Sequence, residues 1–335
     1  MVSTPLMAFT DNPIAFLSDR MRRGERVGLA TLIAVDGSSP RPVGSQIAVA
    51  ENGDSTGMIT GGCAEAALIT QTVHHMAAGS RGVTRYGAGS PYLDVKLPCG
   101  SGLDVHFEGG LAPAMVAELA AAQDARAPHA LSLFAERAPV AHNPTQALTE
   151  NPLFIRTYAP RFRLLIFGEG PYPYALATLT APLDFDIQVF SPDTHTRSAL
   201  ELDSRDGTPI MTHAITPRDD FSAIAFDPWT GVVTLFHDHE WEINILSAAL
   251  ASSASYIGAL GSRKTHTARM AHLRDRGFSA DVISAIHGPV GLDIGASDPN
   301  EIAISILAQI IAHRRGQSHH IAADPSTRLA AYNDA

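Results

Sequence analysis

Cysteine is scarce: the 335-residue sequence holds two, Cys63 and Cys99. That excludes a disulfide framework, which belongs to small secreted domains, and predicts two free thiols in a reducing compartment. Charge is scarce as well, at 17% of residues where soluble domains usually carry roughly 25%. The 24 basic side chains are outnumbered by 34 acidic ones, for a net charge of −10, and no lysine-rich run appears. A polyphosphate backbone would find no electrostatic footprint here, which excludes nucleic acid as a partner. Apolar runs stay short of the roughly 18–20 residues needed to cross a bilayer. The N-terminus carries Asp11 and Asp19 and lacks the basic-then-apolar order of a signal peptide. These absences predict a cytoplasmic protein with no membrane partner.

What is abundant is apolar residues, at 45%, and turn formers, with Gly and Pro together making 49 residues. A length beyond the roughly 250–300 residues at which single cores stop growing predicts two domains. In the first half, residues 27–35 read as a buried strand. The breaker cluster Gly37-Ser38-Ser39-Pro40-Arg41-Pro42-Val43-Gly44 follows, then a strand over 46–50 and the turn Asn52-Gly53. Apolar residues at helical spacing over 64–77 place Gly61-Gly62-Cys63 at a helix N-terminus. Strands are expected near 93–97 and 103–107, a helix around 112–123 and a loop around 138–153.

The second half alternates strands with helices. Strands are expected over 163–167, 186–190, 232–236 and 255–260, with helices over 175–181, 240–251 and 265–276. That alternation predicts an α/β fold with a doubly wound parallel sheet. The final helix is the best marked, with Asp298 as N-cap, Pro299 at the first helical position and Glu301 completing a capping box. Its expected core stripe is Ile302, Ile306, Leu307, Ile310 and Ile311, and Arg314, Arg315 and Gly316 end it. Residues 317–335 read as a polar tail.

Four constellations carry possible chemistry. After the strand at 163–167, Gly168-Glu169-Gly170 offers the tight turn and close approach that a dinucleotide pyrophosphate needs. The third small position is occupied by Pro173, however, and the ribose-holding carboxylate is either Asp193, slightly late, or absent. NAD(P) binding therefore competes with a scaffold whose nucleotide site is altered. The segment 255–265 ends a strand in small residues, Gly258, Gly261 and Ser262, before Arg263 and Lys264. It suits an anion, or else is a glycine turn with a solvated basic helix start. His237-Asp238-His239-Glu240 lies at a strand's carboxyl edge and suggests metal or acid–base work. Adjacent residues cannot all face one point, so two of the four are expected to face the crevice while the others cap the next helix. Lastly, Cys63 and Cys99 each sit beside glycine-rich turns, with Arg41 on a third. A thiol ahead of a helix has its thiolate favoured by the dipole and becomes a nucleophile or soft-metal ligand. The alternative for each is a small buried hydrophobe.

The segments 37–44 (GSSPRPVG), 61–65 (GGCAE), 99–100 (CG), 237–240 (HDHE), 256–264 (YIGALGSRK) and 286–316 together resemble the XdhC/CoxI family of accessory proteins for molybdenum hydroxylases such as xanthine dehydrogenase. The resemblance implies a smaller N-terminal α/β domain (1–125), a connecting segment (126–161), a Rossmann-like domain (162–316) and the tail (317–335). It further implies a chaperone that binds molybdenum cofactor, assists its sulfuration and inserts it into an apo-hydroxylase, rather than an enzyme with free turnover. A cysteine desulfurase and a second copy of the chain, as a homo-oligomer, are the other implied partners. On this reading Arg41, Gly61, Gly62, Gly168, Gly170, Gly258, Gly261, Ser262 and Arg263 hold the cofactor, and Cys63 or Cys99 approaches molybdenum or carries sulfur. His237 and His239 are secondary metal candidates. The competing readings are an NAD(P)-dependent oxidoreductase using the Gly168 loop, with His237 or His239 as proton donor, and a non-catalytic docking scaffold.

Overall fold

The computed structural model describes residues 7–8, 12–90, 100–146, 148, 151–202, 210–236 and 239–316. Cys99, His237, the strand expected near 93–97 and the 317–335 tail lie outside these residues. The side chains of His239 and Glu240 are also outside the description. The chain divides into two compact units, Met1–Pro160 and Arg161–Ala335.

In the first unit, strands β1 (Met7–Ala8), β2 (Val27–Asp36), β3 (Gln46–Ala50), β4 (Ser55–Gly57), β5 (Arg81–Gly87) and β6 (Gly102–Glu108) form one sheet, ordered β1-β4-β3-β2-β6-β5. The strands expected over 27–35 and 46–50 form a hairpin, since β2 pairs antiparallel with β3 in the register Thr31↔Gln46 to Val27↔Ala50. Period-two alternation sends neighbouring residues of β2 into different cores. Leu29 packs with Ile14 and Leu17 of α1 (Ile14–Arg22) and with Val116 and Leu119 of α3 (Pro113–Asp124). Ala30 and Leu32 pack with Leu68 of α2 (Glu65–Ala78). Residues 126–161 contain a second sheet, ordered β8-β7-β9 from β7 (His129–Leu133), β8 (Val140–His142) and β9 (Phe154–Tyr158). The loop expected around 138–153 thus contains a strand, too short for its alternation to be read. Strand β5 also escaped the sequence reading, because Arg81 and Arg85 break its apolar pattern while pairing with Glu108 and Asp104 on β6.

In the second unit, all six strands are parallel: β10 (Phe162–Gly168), β11 (Phe185–Ser191), β12 (Met211–Ala214), β13 (Thr230–Leu235), β14 (Tyr256–Ala259) and β15 (Ile286–His287). Their order, β12-β11-β10-β13-β14-β15, reverses direction between β10 and β13. Leu164 and Ile166 of β10 face one core with α4 (Pro171–Thr180) and α9 (Pro299–Arg314). Leu165 and Phe167 face the other, with α6 (His239–Leu250) and α7 (Arg263–Asp275). Helix α5 (Thr194–Leu202) joins β11 to β12, and a short α8 (Ala280–Ile283) precedes β15.

Two expectations need correction. Helix α4 begins at Pro171 rather than 175, because proline is tolerated in a first turn whose N–H groups have no partner in the helix. At the far end of the chain the capping box on Asp298 and Glu301 is present as expected. However, Ile311 is 40% exposed, and Ala303 takes its place in the core beside Ile306 and Ile310.

Candidate functional site

Three glycine-rich loops leave the same end of the first sheet, since β2, β4 and β5 finish there and β3 and β6 begin there. They are also in contact. A Cβ on Gly61 would lie 3.7 Å from Cγ of Pro40, and one on Gly37 would lie 3.3 Å from Oγ of Ser101. The Ser101 hydroxyl donates to the Ser38 carbonyl. Arg85 ties the strand ends beneath: Nη2 donates to Asp36 at 3.0 Å, Nη1 to both Asp104 oxygens at 3.2 Å, and Nε to the Ala88 carbonyl at 2.8 Å. The loops bearing Arg41 and Cys63, and Gly100-Ser101 after Cys99, therefore form one cluster.

Within it, Glu65 is the organising residue, and sequence reasoning gave it no role. Its carboxylate is 3% exposed and accepts four hydrogen bonds. Oε1 takes the amides of Ile59 (3.1 Å) and Thr60 (2.6 Å), and Oε2 takes the Thr60 hydroxyl (2.5 Å) and the Gly62 amide (2.7 Å). Burial alone would raise the Glu65 pKa, but these donors outweigh it and hold the carboxyl below its ordinary value. The Gly62 N–H, expected to serve an external anion, thus points to an internal one. What the loop presents outward is the Cys63 thiol, which is exposed rather than packed as a small hydrophobe. Gly61 and Gly62 carry positive φ of 76° and 112°, the conformation that lets so tight a turn wrap one carboxylate.

In the second unit, Gly168 sits where β13 comes close, and a Cβ there would be 2.9 Å from Leu235 Cβ. Gly170, with φ of 76°, starts α4, and its N–H donates to Thr196 Oγ1 at 2.8 Å. The prolines at 171 and 173 have no N–H to give. A helix start that should offer several donors to a pyrophosphate has therefore lost two to proline and one to Thr196. Asp193 is likewise engaged. It accepts from the Thr196 hydroxyl (2.6 Å), the Thr196 amide (2.8 Å) and the His195 amide (3.2 Å), which keep its carboxyl below the ordinary value. The side chain suggested for a ribose hydroxyl instead caps α5.

A cavity of about 480 Å³ opens at the end of β14. Gly261, Arg263, Asp293, Gly295, Ile302 and Ser305 are among its lining residues, so the segments 256–264 and 286–316 meet there. Gly258 contributes by absence: a Cβ would drive into Val290 Cγ2 at 2.5 Å, so the glycine lets the 289–296 loop lie on β14. Gln309 clips that loop to α9, accepting from the Gly291 amide (2.9 Å) and from the Tyr256 hydroxyl (2.6 Å). Beneath it, Arg269 is fully buried and forms a bidentate pair with Glu242 (2.9 and 3.0 Å) while donating to the Leu260 carbonyl at 2.6 Å. Ser262 caps α7 through the Thr265 amide at 3.1 Å. Gly261 and Arg263 thus line the cavity, whereas Gly168 and Gly170 do not. Among the described residues, no three His, Cys, Asp or Glu side chains are grouped to hold a metal ion, and no helix is long and apolar enough to cross a membrane.

The strand order and the glycine turn after β10 define the second unit as a Rossmann-type domain, whose order 3-2-1-4-5-6 it follows. The chain belongs to the XdhC and CoxI family, matching that family over residues 20–87 and its XdhC Rossmann domain over residues 164–310. It is similar to the molybdenum cofactor insertion chaperone PaoD of Escherichia coli (strain K12), with 29% identity over 316 residues spanning 94% of this chain and 92% of that one. A further relative is a probable xanthine dehydrogenase subunit of Bacillus subtilis (strain 168), 33% identical over 165 residues that cover 49% of this chain and 46% of the other. The crystal structure of a xanthine dehydrogenase from Bacillus halodurans has the same fold, with a TM-score of 0.71 at 23% identity, covering 95% of this chain and 99% of that one.

Proposed function

We propose that this protein is a molybdenum cofactor chaperone that receives the cofactor as cargo, assists its sulfuration and inserts it into a molybdenum hydroxylase. The observation that carries this reading is the loop cluster of the first unit, where a buried carboxylate holds a glycine turn so that Cys63 stands exposed beside the Arg41 loop. An exposed thiol is a soft donor suited to molybdenum or to a transferred sulfur atom, and near-full-length similarity to an insertion chaperone supports the assignment. The cavity of the second unit falls within the roughly 300–1,000 Å³ usual for small-ligand sites and is lined by Arg263 and glycine backbone, which suits an anionic organic group. Cys99 is proposed as the second thiol and His237 and His239 as secondary metal candidates, while Gly168 and Gly170, whose turn is engaged internally, are assigned no role in holding the cargo. An apo-hydroxylase and a cysteine desulfurase are the partners this function requires, with the chaperone acting as a homo-oligomer in the cytoplasm.

The test has two arms. Purified protein loaded anaerobically should retain molybdopterin in stoichiometric amount, read by pterin fluorescence after oxidation; no retention would remove the chaperone assignment. Cys63→Ala should keep its fold and fail to support sulfurated cofactor in the partner hydroxylase, and full partner activity from that variant would remove Cys63 from the mechanism. An NAD(P)-dependent oxidoreductase is disfavoured by the engagement of Gly170, Asp193 and Thr196 with one another.

A further inference from the structure

We infer that Arg156, on β9, is an anion-binding residue of the glycine-loop cluster, placed to take a phosphate or pyrophosphate group. Among the described residues, the other arginines of the first unit that lie on or beside its strands have carboxylate partners: Arg81 has Glu108, Arg85 has Asp36 and Asp104, and Arg26 has Glu51. The side chain of Arg156 has no hydrogen bond or ion pair among the described residues, and its Nε is buried without a partner. A buried N–H with no acceptor costs roughly 1–3 kcal/mol, more when the group is charged, so an orphan of this kind calls for an explanation.

The guanidinium is nonetheless held in place. Its carbon lies 5.5 Å from the centroid of the Tyr158 ring. Gly44, the last residue of the GSSPRPVG loop, also comes close: a Cβ there would come within 3.4 Å of both Cδ and Nη1 of Arg156 and 3.6 Å of Phe154 Cζ. Gly44 has φ of 91° and is anchored by its N–H to the Leu32 carbonyl at 2.7 Å. The ring beneath does not neutralise the charge. Tyr158 donates its hydroxyl to Gln46 at 2.9 Å, and burial pushes its pKa up to about 12, so it remains a neutral phenol. Gln46 in turn donates to Thr31 at 3.0 Å, which fastens the small sheet's Tyr158 to the large one.

A planar cation lying over a neutral ring, beside a glycine loop and without a carboxylate partner is ready for a ligand that brings its own negative charge. Arginine meets phosphate oxygens with two parallel N–H donors, a geometry lysine cannot reproduce. The loop that pins it is the one that carries Arg41 and that touches Gly61 through Pro40, which places the anion beside the Cys63 turn. The inference rests on the chaperone reading only for the identity of the ligand; the anion site stands or falls by itself.

The full chain is titrated with inorganic pyrophosphate by calorimetry, beside Arg156→Met, Arg156→Lys and the control Arg26→Met. The control removes the same charge from the opposite end of β2. Wild type and Arg26→Met should bind alike, Arg156→Met about tenfold more weakly, and Arg156→Lys in between. Circular dichroism and thermal unfolding should show Arg156→Met folded, since it keeps an unbranched stem and removes no side-chain hydrogen bond. Equal pyrophosphate affinity in folded Arg156→Met and wild type would overturn the inference, as would no pyrophosphate binding by wild type. Should Arg156→Met fail to fold, Arg156→Lys decides, with unchanged affinity overturning the inference. Molybdopterin retention is read in parallel. Arg156-dependent pyrophosphate binding without molybdopterin retention by wild type would sink the chaperone assignment while leaving the anion site in place. Retention that is equal in wild type and Arg156→Met, with no pyrophosphate effect, would do the reverse.

Discussion

Two glycine turns in this protein look alike as strings of letters, and both spend amides on internal acceptors, yet only the first presents a thiol outward. Gly61-Gly62-Cys63 and Gly168-Glu169-Gly170 each precede a helix, and each suggests amides aimed at a bound anion. In the first, the amides converge on the protein's own buried carboxylate, Glu65, and the outward product of the turn is a thiol. In the second, the one glycine amide that could reach a ligand is taken by Thr196, and proline removes two more donors at the helix start. A glycine-rich turn binds a ligand through its amides only when those donors have no internal acceptor, so the destination of each N–H decides which groups the turn can offer.

The sharpest way to break this comparison is to remove the internal anion of the first turn. Glu65→Ala leaves the Ile59, Thr60 and Gly62 donors without acceptors in a buried site, and should cost on the order of 3 kcal/mol or more in urea unfolding. Glu65→Gln keeps the shape and some of the bonds and should cost less. The carboxyl also predicts an acid dependence. Its folded pKa lies below the ordinary 4.5, so its contribution is fully present above that value and is lost as pH falls through the depressed folded value. Wild type should therefore lose stability faster than Glu65→Gln on acidification below about pH 4.5, measured as the change in unfolding midpoint. Parallel curves for the two proteins would show that Glu65 is not the internal anion.

A smaller effect is expected at the second turn. Thr196→Val removes one hydroxyl that accepts from Gly170 and donates to Asp193, and should destabilise by roughly 1–2 kcal/mol. It frees the Gly170 amide but does not restore the N–H groups missing at Pro171 and Pro173. Nicotinamide dinucleotide affinity should thus stay undetectable by titration in Thr196→Val as in wild type. Appearance of tight binding in the variant would mean that Thr196 alone had closed a working dinucleotide site.

How far these outcomes could be foreseen from sequence depends on whether the information is local. The capping box at Asp298 and Glu301, the strands that became β2 and β3 and the short apolar run of β10 are local and legible. Strand β5 was not, because its arginines are neutralised by partners on β6, about 20 residues away in sequence or more. The fate of the Gly170 amide depends on Thr196, 26 residues on, and nothing in GEGPYP reports it. Arg156 was invisible for the same reason, since its surroundings come from Gly44 and Tyr158 on different elements. The convergence of the 37–44 and 61–65 segments was suggested by their shared composition, yet contact between Pro40 and Gly61 required the sheet. Gly258 shows the converse: the close approach of Val290 is reason enough for a glycine there, with or without a ligand nearby.

The smallest expected effect separates capping from ligand contact at the third glycine-rich segment. Ser262 accepts from the Thr265 amide at the start of α7, and replacing an N-cap serine by alanine costs about 1 kcal/mol, while glycine costs only a few tenths. Ser262→Gly should therefore unfold close to wild type and Ser262→Ala slightly earlier, with molybdopterin retention unchanged in both. Arg263, one residue on, lines the cavity, and Arg263→Gln should lower retention without moving the unfolding midpoint. If Ser262→Gly lowers retention while its stability holds, the hydroxyl faces the cargo as well as the helix, and this turn would act through its outward groups, as is proposed for the Cys63 turn. If only Arg263→Gln lowers it, the cavity works through its cation, and Ser262 and Gly258 serve to build the turn that carries it.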